Sequence, residues 1–159
     1  MPVDPAETIY YRQSRFTTRL PKNYLFVPSH YWLSRLSEGR YRVGLTRFAT
    51  RMLGDFVECE FQVASGDSVE LGEPIGWIEG FKALADLYCT SGGRFMGGNT
   101  RLQSHPQLLD NDPYDAGWLY ELACEPPPNA VDAEGYAGCL DVAIRRMLDQ
   151  ESQKDDSSC

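Results

Sequence analysis

The sequence predicts a mainly β fold, a flattened barrel or sandwich with one short helix and one C-terminal helix. Three observations lead there. Strand-like runs are short and numerous, and glycine, proline and aspartate turns punctuate them. Only two stretches carry a helical period. Strands and helices do not alternate, which excludes the doubly wound nucleotide-binding folds. A chain of 159 residues suits one domain with a real core.

Residues 1–20 hold proline, scattered charge and no sustained period. Residues 1–23 are therefore expected to form an N-terminal arm that packs only in part, ahead of a domain over 24–150. From Tyr24 to Leu36 the pattern is strand-like, with Tyr24, Phe26, Tyr31 and Trp32 as aromatic bulk. Ser37–Arg40 reads as a turn, and Tyr41, Val43 and Leu45 share one face of the next strand. "TRFATRMLG" predicts a short helix near 47–53, with Thr46 to cap it and Gly54 to end it. In "FVECEFQV", Val57, Cys59, Phe61 and Val63 point one way, and Glu58, Glu60 and Gln62 the other. "SGDSVELGEP" places turns around a brief strand. Further strands are expected over Ile75–Ile78, Asp86–Cys89, Arg94–Met96 and Trp118–Leu122, the last one after the loop "NDPYDAG". Beyond Pro126–Pro128, Asp132 suits a helix N-cap, and Tyr136, Leu140, Ile144 and Leu148 recur at helical spacing over about 133–149. Residues 151–159 read as a polar, mobile tail.

A net charge of −8 argues against nucleic acid, whose binders release counterions from basic patches. Pairs such as Arg40 with Arg42 and Arg145 with Arg146 read as solvated faces. Partners with basic docking surfaces fit this charge. No apolar run is long enough for a membrane span, and the first residues lack a secretory apolar stretch, so a cytoplasmic protein is expected. The five cysteines, Cys59, Cys89, Cys124, Cys139 and Cys159, form no C-x-x-C pair. Cys59 and Cys89 read as small buried hydrophobes, and Cys159 as exposed. His30 and His105 are the only histidines, and neither zinc nor another metal is expected. His30 reads as a packed or capping side chain and His105 as a loop residue. No G-x-S-x-G elbow supports a hydrolase, and the glycines of Gly92–Asn99 lack the strand–loop–helix setting of a phosphate cradle.

Lysine is the informative residue. Lys22, Lys82 and Lys154 are the only three, and arginine supplies every other base. A Schiff-base or general-base role for Lys82 would need burial to lower its pKa. A solvated turn residue would need nothing. A site of covalent attachment needs a tight, rigid turn that projects the side chain. The surroundings favour attachment: Glu79 and Asp86 stand on either side, and Ile78, Phe81, Leu84 and Leu87 are available to anchor the flanking strands.

"GDSVELGEPIGWIEGFKALADLY" resembles the lipoyl-attachment hairpin of the glycine cleavage system H protein family. The matching positions are Gly66–Asp67, Gly72, Ile78–Glu79, Lys82–Ala83 and Asp86–Leu87–Tyr88. The resemblance continues through Gly93 and Asn99 to "NDPYDAGWLYEL". Upstream, His30–Leu33 is similar to the family's H-E-W segment, and "VGLTRFATRMLGDFVECE" to its V-G-I-T segment and short helix. The resemblance spans roughly 24–148 and implies a lipoyl/biotinyl-type barrel-sandwich hybrid. It implies lipoic acid in amide linkage to Lys82, hence a non-catalytic cofactor carrier. Glu79 and Asp86 are then expected to be recognised by a lipoate ligase or other lipoylation enzyme. Biotin carriers place methionines around the lysine, and 2-oxo acid dehydrogenase domains an aspartate before it. Phe81 and Ala83 stand here instead.

Some positions depart from the family pattern. Gly80 and Phe81 replace a usual serine and valine, Ala85 precedes Asp86, and Thr90 replaces a common proline. With "SRFTTRLP" in the arm, these departures resemble a second branch, the lipoate-binding proteins of sulfur-oxidising prokaryotes. That branch works with a heterodisulfide-reductase-like complex and implies sulfur as the cargo. The alternatives are an H protein carrying the aminomethyl group between glycine cleavage enzymes, and an unlipoylated H-like binding module.

Overall fold

A computed structural model describes residues 3–157, and the side chains of these up to residue 153. After a short 3-10 turn at Pro5–Glu7 come β1 (Thr8–Gln13), β2 (Phe16–Pro21), β3 (Leu25–Val27), β4 (Tyr31–Ser37) and β5 (Arg40–Leu45). Helix α1 (Arg47–Leu53) leads to β6 (Phe56–Phe61), β7 (Ser68–Val69), β8 (Pro74–Gly80), β9 (Leu84–Tyr88) and β10 (Gly93–Gly98). Two one-turn helices, α2 (Arg101–Ser104) and α3 (Leu108–Asn111), precede β11 (Tyr120–Cys124) and α4 (Ala133–Ser157).

The architecture is mainly β, with open sheets rather than a closed barrel. A six-stranded sheet runs β3-β4-β5-β11-β10-β7, and a three-stranded sheet runs β6-β8-β9. The main core joins them: Val43, Phe95, Tyr120 and Leu122 from the first sheet meet Ile75, Ile78 and Leu87 from the second. Strand β4 is buried on both faces near its start. Tyr31 and Leu33 enter this core, while Trp32 turns into a second one. The Trp32 indole N–H donates to the carbonyls of Leu45 and Pro113, so its one polar atom is satisfied.

The second core corrects the reading of the arm. Residues 8–21 form an antiparallel hairpin, and Tyr11, Phe16 and Leu20 are buried against Trp32, Phe48, Tyr136, Leu140 and Ile144. The hydroxyl of Tyr11 donates to Asp141 of α4 at 2.7 Å, and Phe16 meets Phe48 edge-on at 5.6 Å. The hairpin is hard to see in sequence because its inward residues are few and threonine and arginine fill the spaces between them.

Three other expectations change. Val57 does not follow the alternation of β6: the register shifts between Phe56 and Glu58, and Val57 is 46% exposed. Helix α4 runs on to Ser157, so most of the tail is helical rather than irregular. The short helices α2 and α3 occupy a stretch where no helix was expected. The position of Cys159 lies outside the described residues. Thr46 does cap α1, its hydroxyl accepting the Ala49 amide at 3.4 Å, and Asp132 caps the start of α4 at 2.8 Å.

Candidate functional site

Strands β8 and β9 are joined by Phe81, Lys82 and Ala83, and the Gly80 amide closes the turn on the Ala83 carbonyl at 2.9 Å. The turn does not stand free. Its Phe81 amide donates to the Asp55 carbonyl, and its Lys82 amide to the Leu53 carbonyl, both at 3.0 Å. The last carbonyls of a helix lack intrahelical donors, and here the hairpin tip supplies one to Leu53 at the end of α1.

Two glycines permit this contact. Gly54 ends α1 at φ +81°, a left-handed conformation that disfavours a side chain. A Cβ there would lie 2.8 Å from Lys82 Cγ and 2.9 Å from its amide nitrogen. At Gly80 a Cβ would lie 2.3 Å from the Leu53 carbonyl oxygen and 2.9 Å from that of Gly54. In the sequence Gly54 reads as a helix stop and Gly80 as a departure from the family pattern. Their shared role depends on a contact between segments far apart along the chain, so no local pattern signals it.

The backbone of Lys82 is clamped while its side chain is exposed. Its ammonium has one long contact, to the Arg51 carbonyl at 3.4 Å, near the helix C-terminus where a cation is favoured. A cleft of about 310 Å³ opens beside it, walled by Arg47, Thr50, Arg51, Asp55 and Asp110. The Arg47 guanidinium is held on the Asp110 carbonyl, and the Asp110 carboxylate accepts the Phe56 amide. Exposure of this kind does not suit a general-base lysine, which needs desolvation.

Of the four apolar residues expected to anchor the flanks, Ile78 and Leu87 do so from within the core. Phe81 and Leu84 are instead 81% and 71% exposed, an apolar rim on either side of the lysine. Leu84 faces Glu79 across the strands, and Asp86 faces Trp77. Directly paired residues share a face, so Glu79 and Asp86 lie on the outer side of the hairpin. The next strand extends that face, with Glu58 opposite Glu79 and Glu60 opposite Trp77. Like charges directly opposite are unfavourable, so the pairing of Glu58 with Glu79 is not there for stability.

The remaining candidates are structural. His30 packs at 4.6 Å from the Phe48 ring, and its Nδ1 lies 2.7 Å from the Tyr136 hydroxyl, with burial lowering its pKa. His105 ends α2. Burial pushes the thiols of Cys59 and Cys124 up to about 11 and raises that of Cys89, which disfavours reactive thiolates. Among the described residues no cluster has the make-up of a metal site, and no helix is long and apolar enough to cross a membrane.

A hairpin fixed by its backbone, with an accessible lysine at its tip, in a mainly β fold of open sheets is the arrangement of a carrier domain. Residues 24–136 match the family described as Glycine cleavage H-protein. The chain is 34% identical to the glycine cleavage system H protein of Mycobacterium bovis (strain BCG / Pasteur 1173P2), over 85% of this chain and 94% of that one. It is 39% identical to that of Listeria monocytogenes serotype 4b (strain CLIP80459), over 65% and 81% respectively. The crystal structure of a glycine cleavage system H protein from Mycobacterium marinum superposes with a TM-score of 0.67, at 31% identity, covering 75% of this chain and 97% of that one. The chain belongs to the glycine cleavage H-protein family. Members of this family are lipoyl carriers, not catalysts, and hold lipoic acid covalently on a lysine.

Proposed function

We propose that Lys82 is the residue that bears the lipoyl group, and that the chain carries the aminomethyl unit between glycine cleavage enzymes. The observation that carries the attachment site is the position of Lys82: side chain exposed, backbone fixed on α1, and space beside it for a long substituent. The bound group supplies a dithiol–disulfide pair, which takes up electrons and a transferred unit. The chain's own residues hold the pivot still and offer a surface to be covered. Phe81 and Leu84 provide apolar area, and Glu58, Glu79 and Asp86 provide charge for a basic partner such as a lipoylation enzyme. The aminomethyl cargo is supported by the relatives, which are glycine cleavage system H proteins.

A second reading keeps the carrier and changes the cargo to sulfur, delivered to a heterodisulfide-reductase-like complex. It rests on Gly80 and Phe81, where the chain departs from the usual family residues. Glycine lets the tip sit directly on the Leu53 carbonyl, and Phe81 enlarges the apolar rim that a partner must bury. Fully lipoylated protein offered to a glycine decarboxylase separates the two. Efficient aminomethyl loading, with restored growth of a strain lacking its own H protein, supports glycine cleavage. Failure of both, with turnover by the reductase-like complex, supports sulfur carriage.

A further inference from the structure

The hairpin β1–β2 and the second half of α4 both lie outside the stretch matched by the family, yet they build a surface feature together. Phe16 from the hairpin, Ile144, Met147 and Leu148 from α4, and Phe48 and Met52 from α1 line a mainly apolar groove of about 290 Å³. Its floor is core: Phe48 and Ile144 are buried. Its rim is open: Met52 is 46% and Leu148 41% exposed. Arg15 and Arg51 flank it, with Glu151 at one end. Among the described residues neither arginine is in an ion pair.

Arg51 also walls the cleft beside Lys82, and its carbonyl is the one that meets the Lys82 ammonium. Groove and attachment cleft are therefore adjacent, on either side of one helix. An enzyme that covers Lys82 to reach its substituent approaches the groove in the same encounter. The groove is also well fixed, because Tyr11 bonds to Asp141 and Phe16 packs on Phe48. An apolar slot whose edge carries two arginines that form no ion pair among the described residues suits an apolar side chain surrounded by carboxylates.

We propose that this groove docks a partner enzyme that acts on the Lys82 substituent, seating an apolar side chain between Met52 and Leu148 with acidic groups against Arg15 and Arg51. The inference rests on Lys82 as the loaded residue and holds for either cargo. Phe16, Ile144, Met147 and Leu148 of the groove lie outside residues 24–136, the stretch the family match covers.

The test uses the full-length lipoylated chain in its host, with a benzophenone amino acid at position 148, at position 84 beside the lysine, or at position 36. Leu36 is exposed at the far end of β4, so position 36 serves as the control. The expected result is one enzyme captured from both 148 and 84 but not from 36. Purified, it turns over the lipoylated chain, and Leu148→Asp and Met52→Asp each raise its KM about tenfold or more with kcat unchanged. Capture of a second copy of this chain, capture of a protein that never reaches position 84, or an unchanged KM would overturn the proposal. Intact mass with peptide mapping of the same sample reports separately whether Lys82 is loaded, so failure of the carrier reading is distinguishable.

Discussion

The Lys82 amide donates to the Leu53 carbonyl at 3.0 Å, so the hairpin tip rests on the end of α1. A carrier lysine on a free loop would carry its substituent through a wide, vague volume. Under the proposed role of Lys82 the motion starts at the side chain, and the two glycines at 54 and 80 let the backbones meet.

Replacing Gly80 by serine, the usual family residue, should force the tip away from α1, since the new Cβ would sit 2.3 Å from the Leu53 oxygen. Overpacking of this kind costs about 1–3 kcal/mol, measurable by denaturant unfolding. Lipoylation should slow as well. Gly138→Ala is the control: no atom lies within 4 Å of its Cβ, and alanine in an exposed helix is neutral or stabilising by up to about 1 kcal/mol. Unchanged stability of Gly80→Ser would show that the contact contributes nothing.

Glu79→Ala, Asp86→Ala and Glu58→Ala should each reduce the rate of lipoylation while the fold persists, because all three lie on the outer face of the hairpin sheet. Removing Glu58 or Glu79 should leave stability equal or slightly higher, as a like-charge pair is relieved. Unfolding by any of these substitutions, with a normal lipoylation rate for the folded remainder, would assign them to structure.

Leu20→Ala should destabilise the whole domain by about 2–5 kcal/mol in a single cooperative transition, since Leu20 is fully buried. Loss of the hairpin alone, with the rest of the unfolding curve unchanged, would make residues 8–21 an independent appendage.

His30 makes stability depend on pH. Burial lowers its pKa below the ordinary value of about 6.5, so the unfolded chain takes the proton first. The contribution is complete above that value and is lost as pH falls through the folded one. His30→Asn, which tolerates the positive φ of 73°, should show a smaller loss of unfolding free energy between pH 7 and pH 5 than the parent. Parallel curves would remove His30 as the cause.

Much of this was legible in the sequence because it is local or periodic. Thr46 and Gly54 bracket α1 by capping chemistry, Asp132 opens α4, and the spacing of Tyr136, Leu140 and Ile144 marks its buried face. Lys82 stood out through composition, as a lysine in a chain that uses arginine. What was hidden depends on distant segments meeting. The β1–β2 hairpin gains its core only from α1 and α4, and Phe81 and Leu84 look like anchors until the turn geometry points them outward. The bulge at Val57 breaks the clearest alternation of all, two residues after Asp55, which receives the hairpin tip.

The central claim is that Lys82 carries the lipoyl group. Intact mass and peptide mapping of protein purified from its native host test it directly, with Lys82→Arg as the partner sample. The account requires a lipoyl increment confined to the peptide containing Lys82, and its complete loss in a folded Lys82→Arg variant, since a guanidinium cannot form the amide. A lipoyl group on Lys22 or Lys154, or functional protein with Lys82 unmodified, would contradict it.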